Sequence, residues 1–198
     1  MNDKYKKIEN LNKDNRNVLE FGCGQSRKFR DSITLDIMNF DSVDVVVDIG
    51  QGLSFIADNS IDEIHSYHFL EHIEDFEFVM KEIYRVLKVG GRKIGAVPHF
   101  SNPHFYSDYT HKSFFGLYTF YYMSKSSKLT RPVPTFYNEM DFKIIEIKFN
   151  FYSFFMLSRL RKKICKVLFN LNDYIKEYYE ENLCYFFPAN EIRFVLEK

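Results

Sequence analysis

A short apolar run that ends in two closely spaced glycines is the feature that most restricts how this chain can fold. Residues 17–21 read Asn-Val-Leu-Glu-Phe, and Gly22 and Gly24 follow at once. The run has the length of a β-strand, and glycine lets the backbone turn tightly and bring its N–H groups close to a ligand. The pattern predicts a strand followed by a ligand-binding loop. A dinucleotide-binding motif would have a third glycine where this chain has Arg27, so the loop alone does not identify the ligand.

Further strand-like runs follow, and they alternate with helical segments. Strands are predicted at 32–36, 43–48, 61–67, 93–97, 142–149 and 192–197, and helices at 76–87 and 153–181. Glycines at 90 and 91 are expected to end the first helix. This alternation predicts an α/β fold with an open, mostly parallel sheet. Only a short helix fits into the first crossover, between Gly24 and Asp36.

Length, charge and cysteine content restrict the class of protein. The 198 residues suffice for one core, so we expect a single domain over 1–198. With 27 basic and 27 acidic side chains, the chain lacks the overall positive charge of a typical nucleic-acid binder. The polar start lacks the pattern of a secretory signal, and no apolar run has the length needed to span a membrane. The three cysteines are an odd number, which fits free thiols better than a disulfide scaffold. We therefore expect a cytoplasmic protein.

Acidic residues end two of the predicted strands. Asp36 closes the strand after the glycine loop, and Asp48 closes the next one. Ligands of open α/β sheets bind at the carboxyl ends of the strands, where a carboxylate can accept hydrogen bonds from both hydroxyls of a ribose. The sequence thus predicts a nucleoside site at this edge. Taken alone, Asp36 is equally compatible with a solvated strand end.

Taken in order, these motifs resemble those of class I S-adenosylmethionine-dependent methyltransferases of the type 11 group. The matching segments are Glu20–Gly24, Asp36, Asp48, and residues 58–64, 68–72 and 82–91. The resemblance implies a Rossmann-like, open, mostly parallel seven-stranded sheet with helices on both faces and an antiparallel last strand. It also implies S-adenosylmethionine as the cofactor. Ser26 stands where the family usually has the third glycine of its loop.

The resemblance also implies a role for each matching residue. Glu20 and the loop Gly22-Cys23-Gly24 would hold the methionine end, and Asp36, with Ile37 beside it, the ribose. Asp48 and Ile49 would contact the adenine, whereas Tyr67 and His68 would lie near the transferring methyl group.

Residues 99–140 are predicted to form a lid on the acceptor side. His68 is a candidate catalytic base because the ordinary pKa of histidine lies near neutrality, although a structural role is equally compatible with the sequence. Within the lid, Asp108 and His111 are candidates for positioning the acceptor. His99, His104, Asp108 and His111 match no established spacing of metal ligands, so we predict no metal site. Residues 98–104 and 107–112 resemble a stretch found in small type 11 members, some of which act in surface-polysaccharide pathways.

Residues 151–188 are predicted to form a helical insertion before the last strand. Within it, residues 154–171 have apolar side chains at helical spacing and basic side chains between them. Such a helix can lie on an anionic membrane or serve a lipid-linked acceptor, but helices of this kind more commonly pack on their own core or on a second subunit and leave the charged face solvated. A homo-oligomer is compatible with either arrangement.

The predicted reaction is methyl transfer to an oxygen or nitrogen of a small-molecule acceptor, with a sugar or glycan precursor favoured. DNA is disfavoured because Ser66-Tyr67-His68 replaces the motif of amino-methylating DNA enzymes. RNA remains open. The alternative is a non-catalytic S-adenosylmethionine-binding scaffold. Tyr121 and Lys125 have the spacing of a short-chain dehydrogenase pair, but the glycine pattern does not fit that class.

Overall fold

Over the described residues, the architecture is one mixed β-sheet with three α-helices. The computed structural model describes residues 1–11, 15–126 and 128–198. Within these ranges the strands are β1 (Asn2–Asp3), β2 (Val18–Phe21), β3 (Ile33–Asp36), β4 (Val45–Val46), β5 (Ile61–Tyr67), β6 (Leu87–Pro98), β7 (Lys143–Asn150) and β8 (Glu191–Glu197). The helices are α1 (Phe76–Val86), α2 (Met156–Leu168) and α3 (Asp173–Asn182), with short 3₁₀ turns at Ile49–Gln51, Leu70–His72, Phe105–Ser107 and Thr119–Met123.

The strand order confirms the predicted fold class. The sheet runs β1-β4-β3-β2-β5-β6-β8-β7, with parallel pairing from β4 through β6. The last strand, β8, is antiparallel to both of its neighbours, as expected. The chain order reverses at β2, between β3 and β5, and ligands of such sheets bind at this switch point. One strand exceeds the predicted seven, because Asn2 and Asp3 pair with Val46 and Val45 at the edge.

Two helical predictions differ from the structure in their boundaries. The first helix ends at Val86, before the glycines, because Leu87 is already extended and starts β6. The predicted helix over 153–181 is two helices, α2 and α3. Asn172 caps the start of α3. Its side chain accepts a hydrogen bond from the N–H of Ile175 at 2.9 Å. None of the helices in the described ranges has both the length and the apolar character needed to cross a bilayer.

Aromatic contacts pack α1 and the chain after β6 on one face of the sheet. The ring of Phe76 in α1 lies 6.4 Å from that of Phe120, which lies 4.1 Å from Phe194 in β8. On the same face, Leu19 and Phe21 of β2 are fully buried. This packed face thus fixes the positions of β2, β5 and β6, whose carboxyl ends meet at one edge of the sheet.

The connection between Gly24 and β3 contains no helix, where at most a short one was predicted. Glu20 holds this connection in place, because its carboxylate accepts hydrogen bonds from the backbone N–H groups of Lys28 and Phe29 at 3.1 Å. Phe29 in turn lies against His65 of β5, with 4.0 Å between the ring centroids. A loop, rather than a helix, therefore covers this part of the opposite sheet face.

Candidate cofactor groove and acceptor side

A groove of about 400 Å³ lies where the order of the strands reverses. Its walls come from the loops after β2, β3, β4 and β5. They comprise Gly22, Gly24, Asp36, Ile37, Met38, Phe40, Val47, Asp48, Ile49, His68, Phe69, His72 and Ile73. The structure thus brings together seven of the residues singled out from the sequence, namely Gly22, Gly24, Asp36, Ile37, Asp48, Ile49 and His68.

The two glycines of the loop have positive φ angles, a backbone conformation that is energetically unfavourable for other residues. Gly22 and Gly24 have φ angles of +63° and +55°. A Cβ on Gly22 would lie 2.6 Å from Cδ2 of Phe69, whereas one on Gly24 would have no protein atom within 4 Å. Gly22 therefore allows Phe69 to pack against the loop, and Gly24 leaves open space beside the groove.

Two carboxylates border the groove at the ends of successive strands. Asp36 accepts hydrogen bonds from the N–H groups of Gly24 and Met38, both at 2.9 Å and on different oxygens. Each carboxylate oxygen has a second lone pair, so Asp36 can accept two further hydrogen bonds. Asp48 is exposed and accepts a hydrogen bond from the N–H of Gly50, while Ile49 is buried beside it.

Three residues with sequence-predicted cofactor roles lie outside the groove lining. The buried carboxylate of Glu20 accepts its hydrogen bonds from Lys28, Phe29 and Ser32 in the loop before β3. The thiol of Cys23 faces the carbonyl oxygens of Gly24 and Ser42. Tyr67 projects to the other side of the sheet, where its ring stacks on Phe29 at 6.2 Å between centroids. Their cofactor contacts stay predictions, and in this structure these side chains hold the loops that border the groove.

His68 carries a positive charge at the carboxyl end of β5. Its backbone has a φ of +55°, which is uncommon for a non-glycine residue and characteristic of functional sites. Its Nε2 lies 3.0 Å from Oε2 of Glu191, and its Nδ1 lies 3.3 Å from Oε1 of Glu71. The hydrogen bond with Glu191, followed by the interaction with Glu71, raises the pKa of His68 to about 9. The imidazole is therefore protonated at neutral pH.

Glu191 is the counterpart of this charge and was not singled out from the sequence. Burial alone would raise its pKa, but hydrogen bonds from His68, Arg193 and Asn150 outweigh burial and lower the pKa to about 2. Because 123 positions separate Glu191 from His68, no local pattern could have revealed the pair.

The lid candidates Asp108 and His111 lie beside the groove residue His72. The rings of His72 and His111 are 5.0 Å apart between centroids, and Nε2 of His111 is 3.5 Å from Oδ2 of Asp108. Backbone hydrogen bonds from Lys112 and Ser113 to the carbonyl of Glu71 hold this segment in position. His99 lies elsewhere, buried between Ser101 and Glu180.

Sequence reasoning missed several groove residues besides Glu191. They are Met38, Phe40, Val47, Phe69, His72 and Ile73. Five are apolar, and the pattern of the chain does not distinguish them from core residues. His72 lies in the matching segment 68–72, but the sequence analysis assigned it no role in the site. Its place after β5 was the one available signal.

The groove offers what S-adenosylmethionine requires: a glycine loop with open space, a carboxylate able to accept from a diol, and the apolar wall of Ile49 and Phe69. Together with the strand order, these features suit the binding of S-adenosylmethionine. Residues 19–94 match the model of the type 11 methyltransferase family, described as "Methyltransferase domain". No curated protein is significantly similar in sequence.

Solved methyltransferase structures share the fold. An S-adenosylmethionine-dependent methyltransferase from Archaeoglobus fulgidus aligns over 98% of this chain and 90% of its own, with 19% identity and a TM-score of 0.59. Phosphoethanolamine N-methyltransferase 2 from Haemonchus contortus, in complex with S-adenosyl-L-methionine, aligns over 98% of this chain and 50% of its own, with 14% identity and a TM-score of 0.53. The complex of the Haloferax volcanii Trm112 methyltransferase activator with a methyltransferase gives 13% identity, 92% and 82% coverage, and a TM-score of 0.52.

Proposed function

We propose that the protein transfers a methyl group from S-adenosylmethionine to an oxygen or nitrogen of a sugar or glycan precursor. The observation that carries the acceptor class is the set of exposed aromatic rings around the lid residues Asp108 and His111. Tyr106, Tyr109 and Phe114 are exposed, and Tyr109 is 94% exposed. Flat apolar ring faces beside a carboxylate and an imidazole suit a ligand with apolar C–H faces and hydroxyl edges.

The residues around the groove would act mainly by alignment. The cofactor supplies a methyl group on a sulfonium that is already activated for transfer. In-line positioning of the acceptor can then lower much of the barrier. We assign the ribose to Asp36 and the adenine to Asp48 and Ile49. His68 would form the charged wall near the methyl group, while Asp108 and His111 would orient the acceptor.

We further propose that α2 brings the protein to an anionic membrane surface, where a lipid-linked acceptor would be found. The helix has five basic residues and no acidic one, and these are Arg159, Arg161, Lys162, Lys163 and Lys166. Its apolar face is exposed, and Cys165 is its one buried residue. An exposed apolar face flanked by cations complements an anionic lipid surface. The three free cysteines, all buried, suit the reducing cytoplasm.

Methyl incorporation from a radiolabelled donor tests the acceptor class. The acceptors are nucleotide sugars, lipid-linked sugars, catechols and small amines, assayed side by side. We expect label in a sugar class, and we expect Asp108→Ala and Tyr109→Ala to raise KM for that acceptor more than they lower kcat. Label confined to non-sugar acceptors would refute the proposed class. Binding of S-adenosylhomocysteine with no transfer to any acceptor would favour the non-catalytic scaffold.

A further inference from the structure

Three potential metal ligands from two distant segments meet beside the groove. Glu71 and His72 follow β5, and His111 belongs to the lid. One ligand atom from each of them lies within 4.8 Å of the other two. A tetrahedral zinc ion with bonds of about 2.0–2.1 Å needs its ligand atoms roughly 3.4 Å apart. Side-chain rotations that close the cluster by somewhat more than an ångström would thus meet this geometry.

Hydrogen bonds engage Nδ1 of both histidines and leave Nε2 for a metal, with Oδ2 of Asp108 lying 3.5 Å from Nε2 of His111. Nδ1 of His111 lies 3.0 Å from the carbonyl oxygen of Phe105, so Nδ1 carries the proton and donates it. The hydroxyl of Thr110 donates to Oδ1 of Asp108 at 2.6 Å, and the same oxygen of Thr110 lies 2.9 Å from Nδ1 of His72. Because that hydroxyl proton is already engaged, Nδ1 of His72 is the donor. When the two rings are neutral, the lone pair of each is therefore on Nε2.

This arrangement is typical of metal-binding histidines. Such histidines usually donate the proton of the second ring nitrogen to a carbonyl or to a chain that ends on a carboxylate, which fixes the ring and makes the ligating nitrogen more basic. His111 uses the carbonyl of Phe105, and His72 uses Thr110 and Asp108. Residues of the lid thus orient both rings.

The buried carboxylate of Glu71 is a second and independent observation. The residue is 1% exposed, yet neither carboxylate oxygen accepts a hydrogen bond. Nδ1 of the charged His68 lies 3.3 Å from Oε1 and compensates this oxygen in part, as an ion pair. A buried carboxylate that accepts no hydrogen bond is costly. A cation at the cluster would satisfy its oxygens.

We propose that Glu71, His72 and His111 bind a divalent metal ion of the zinc type. Two imidazoles and one carboxylate suit zinc, and a three-ligand set leaves a fourth position for water or for an oxygen of the acceptor. Magnesium prefers a shell made of oxygen atoms. The proposal deepens the proposed function by adding an acceptor-side ion. His72 and His111 are 39 positions apart in the chain, so no short sequence motif predicts the site.

Cobalt substitution tests the metal site in the absence of methyl donor and methyl acceptor. Its result therefore does not depend on whether the proposed acceptor class is correct. Chelator-treated protein is titrated with Co²⁺ while visible absorption is recorded. We expect one equivalent to give a d–d band, Zn²⁺ to displace it, and Mg²⁺ to leave it unchanged. Glu71→Gln and His111→Ala should abolish the band. Thr110→Val, which keeps all three ligands, should weaken binding about 10- to 100-fold.

His104→Ala is the matched control, because His104 is an exposed histidine of the same lid and lies outside the cluster. We expect this variant to bind Co²⁺ like the unmodified protein. Binding of S-adenosylhomocysteine and urea unfolding report whether each variant is folded. A protein that gives no band, or a band that survives in both Glu71→Gln and His111→Ala, would overturn the proposal. Should Glu71→Gln unfold, His111→Ala and Thr110→Val decide the matter.

Discussion

The backbone N–H of Gly24 donates a hydrogen bond to Oδ2 of Asp36 across 2.9 Å and thereby ties the glycine loop to the end of β3. Asp36→Ala removes this tie together with the carboxylate that we assign to the ribose. A hydrogen bond to a charged group contributes about 1.5–3 kcal/mol, so we expect the affinity for S-adenosylhomocysteine to fall about 10- to 100-fold. Isothermal titration calorimetry measures this change.

Asp31→Ala serves as the control for this prediction. Asp31 is an exposed carboxylate in the connection that precedes β3, and it does not line the groove. We expect the affinity of this variant to match that of the unmodified protein. If Asp36→Ala also retained full affinity, the ribose would have to bind elsewhere.

Gly22→Ala should destabilise the protein through two separate effects. The φ of +63° disfavours alanine by about 1–2 kcal/mol. The added Cβ would also lie 2.6 Å from Cδ2 of Phe69, and such overpacking costs about 1–3 kcal/mol more. The midpoint of urea unfolding should fall accordingly, and cofactor affinity should fall with it because the loop must shift.

Gly90→Ala separates the two effects. Gly90 has a similar φ of +80°, but its Cβ would meet no atom within 4 Å. This variant should therefore show the backbone cost alone. An equal loss of stability in both glycine variants would mean that Phe69 moves aside freely, and the close approach of Phe69 to the loop would then have no energetic role.

The sequence predicted the strands and the groove edge because those depend on local patterns. Leu19 and Phe21 mark a buried strand, and Asp36 lies where that pattern places the next strand's end. Such periodicities follow from the geometry of strands and helices. A few neighbouring residues are enough to reveal them. The helix boundary at Val86 was missed because Leu87 can continue a helix or start a strand, and pairing with Ile61 decides between them.

Charge pairing in the groove could not be predicted from the sequence. The protonated state of His68 depends on Glu191, which β8 brings alongside from the far end of the chain. Similarly, Tyr67 follows the alternation of β5 and so faces away from the groove, although it directly precedes His68. Long-range packing, rather than spacing along the chain, determines these features.

Lys93 should make the stability of the fold depend on pH. Its side chain is fully buried, and Nζ donates hydrogen bonds to Oγ of Ser66 and to the carbonyl of Ile94 at 2.5 and 3.1 Å. Burial holds the pKa of Lys93 well below its ordinary value. The unfolded chain, with a lysine pKa of about 10.4, binds a proton that the folded chain does not. The contribution of Lys93 is thus most favourable above about pH 10 and decreases as the pH falls towards its folded pKa.

Lys93→Met removes this contribution while keeping much of the volume. The difference in unfolding free energy between Lys93→Met and the unmodified protein should favour the variant increasingly as the pH falls from 10 to 7, by at most about 1.4 kcal/mol per unit. Urea unfolding at several pH values gives this difference. Lys81→Met, at an exposed position of α1, should show no comparable slope. Parallel pH profiles for Lys93→Met and the unmodified protein would contradict a neutral buried lysine.

The apolar face of α2 should bind anionic vesicles. Leu157, Leu160 and Ile164 are exposed along this face, and Leu157 is 94% exposed. We expect the protein to co-sediment with vesicles of phosphatidylcholine and phosphatidylglycerol but not with phosphatidylcholine alone, because the basic residues beside the face attract anionic headgroups. Added salt should weaken the binding by screening this attraction. The double variant Leu160→Glu/Ile164→Glu should abolish it, since carboxylates replace the apolar contact and repel the surface.

Val89→Glu is the control for the vesicle experiment, because Val89 is an apolar residue with 86% exposure that lies on β6, outside α2. It should bind vesicles like the unmodified protein. Sedimentation velocity without lipid shows whether the chain forms a dimer, in which a second copy would cover the apolar face of α2. A dimer that the double variant dissociates, combined with no vesicle binding, would refute the membrane proposal and assign the face to self-association. A monomer that binds anionic vesicles through Leu160 and Ile164 would support the membrane proposal.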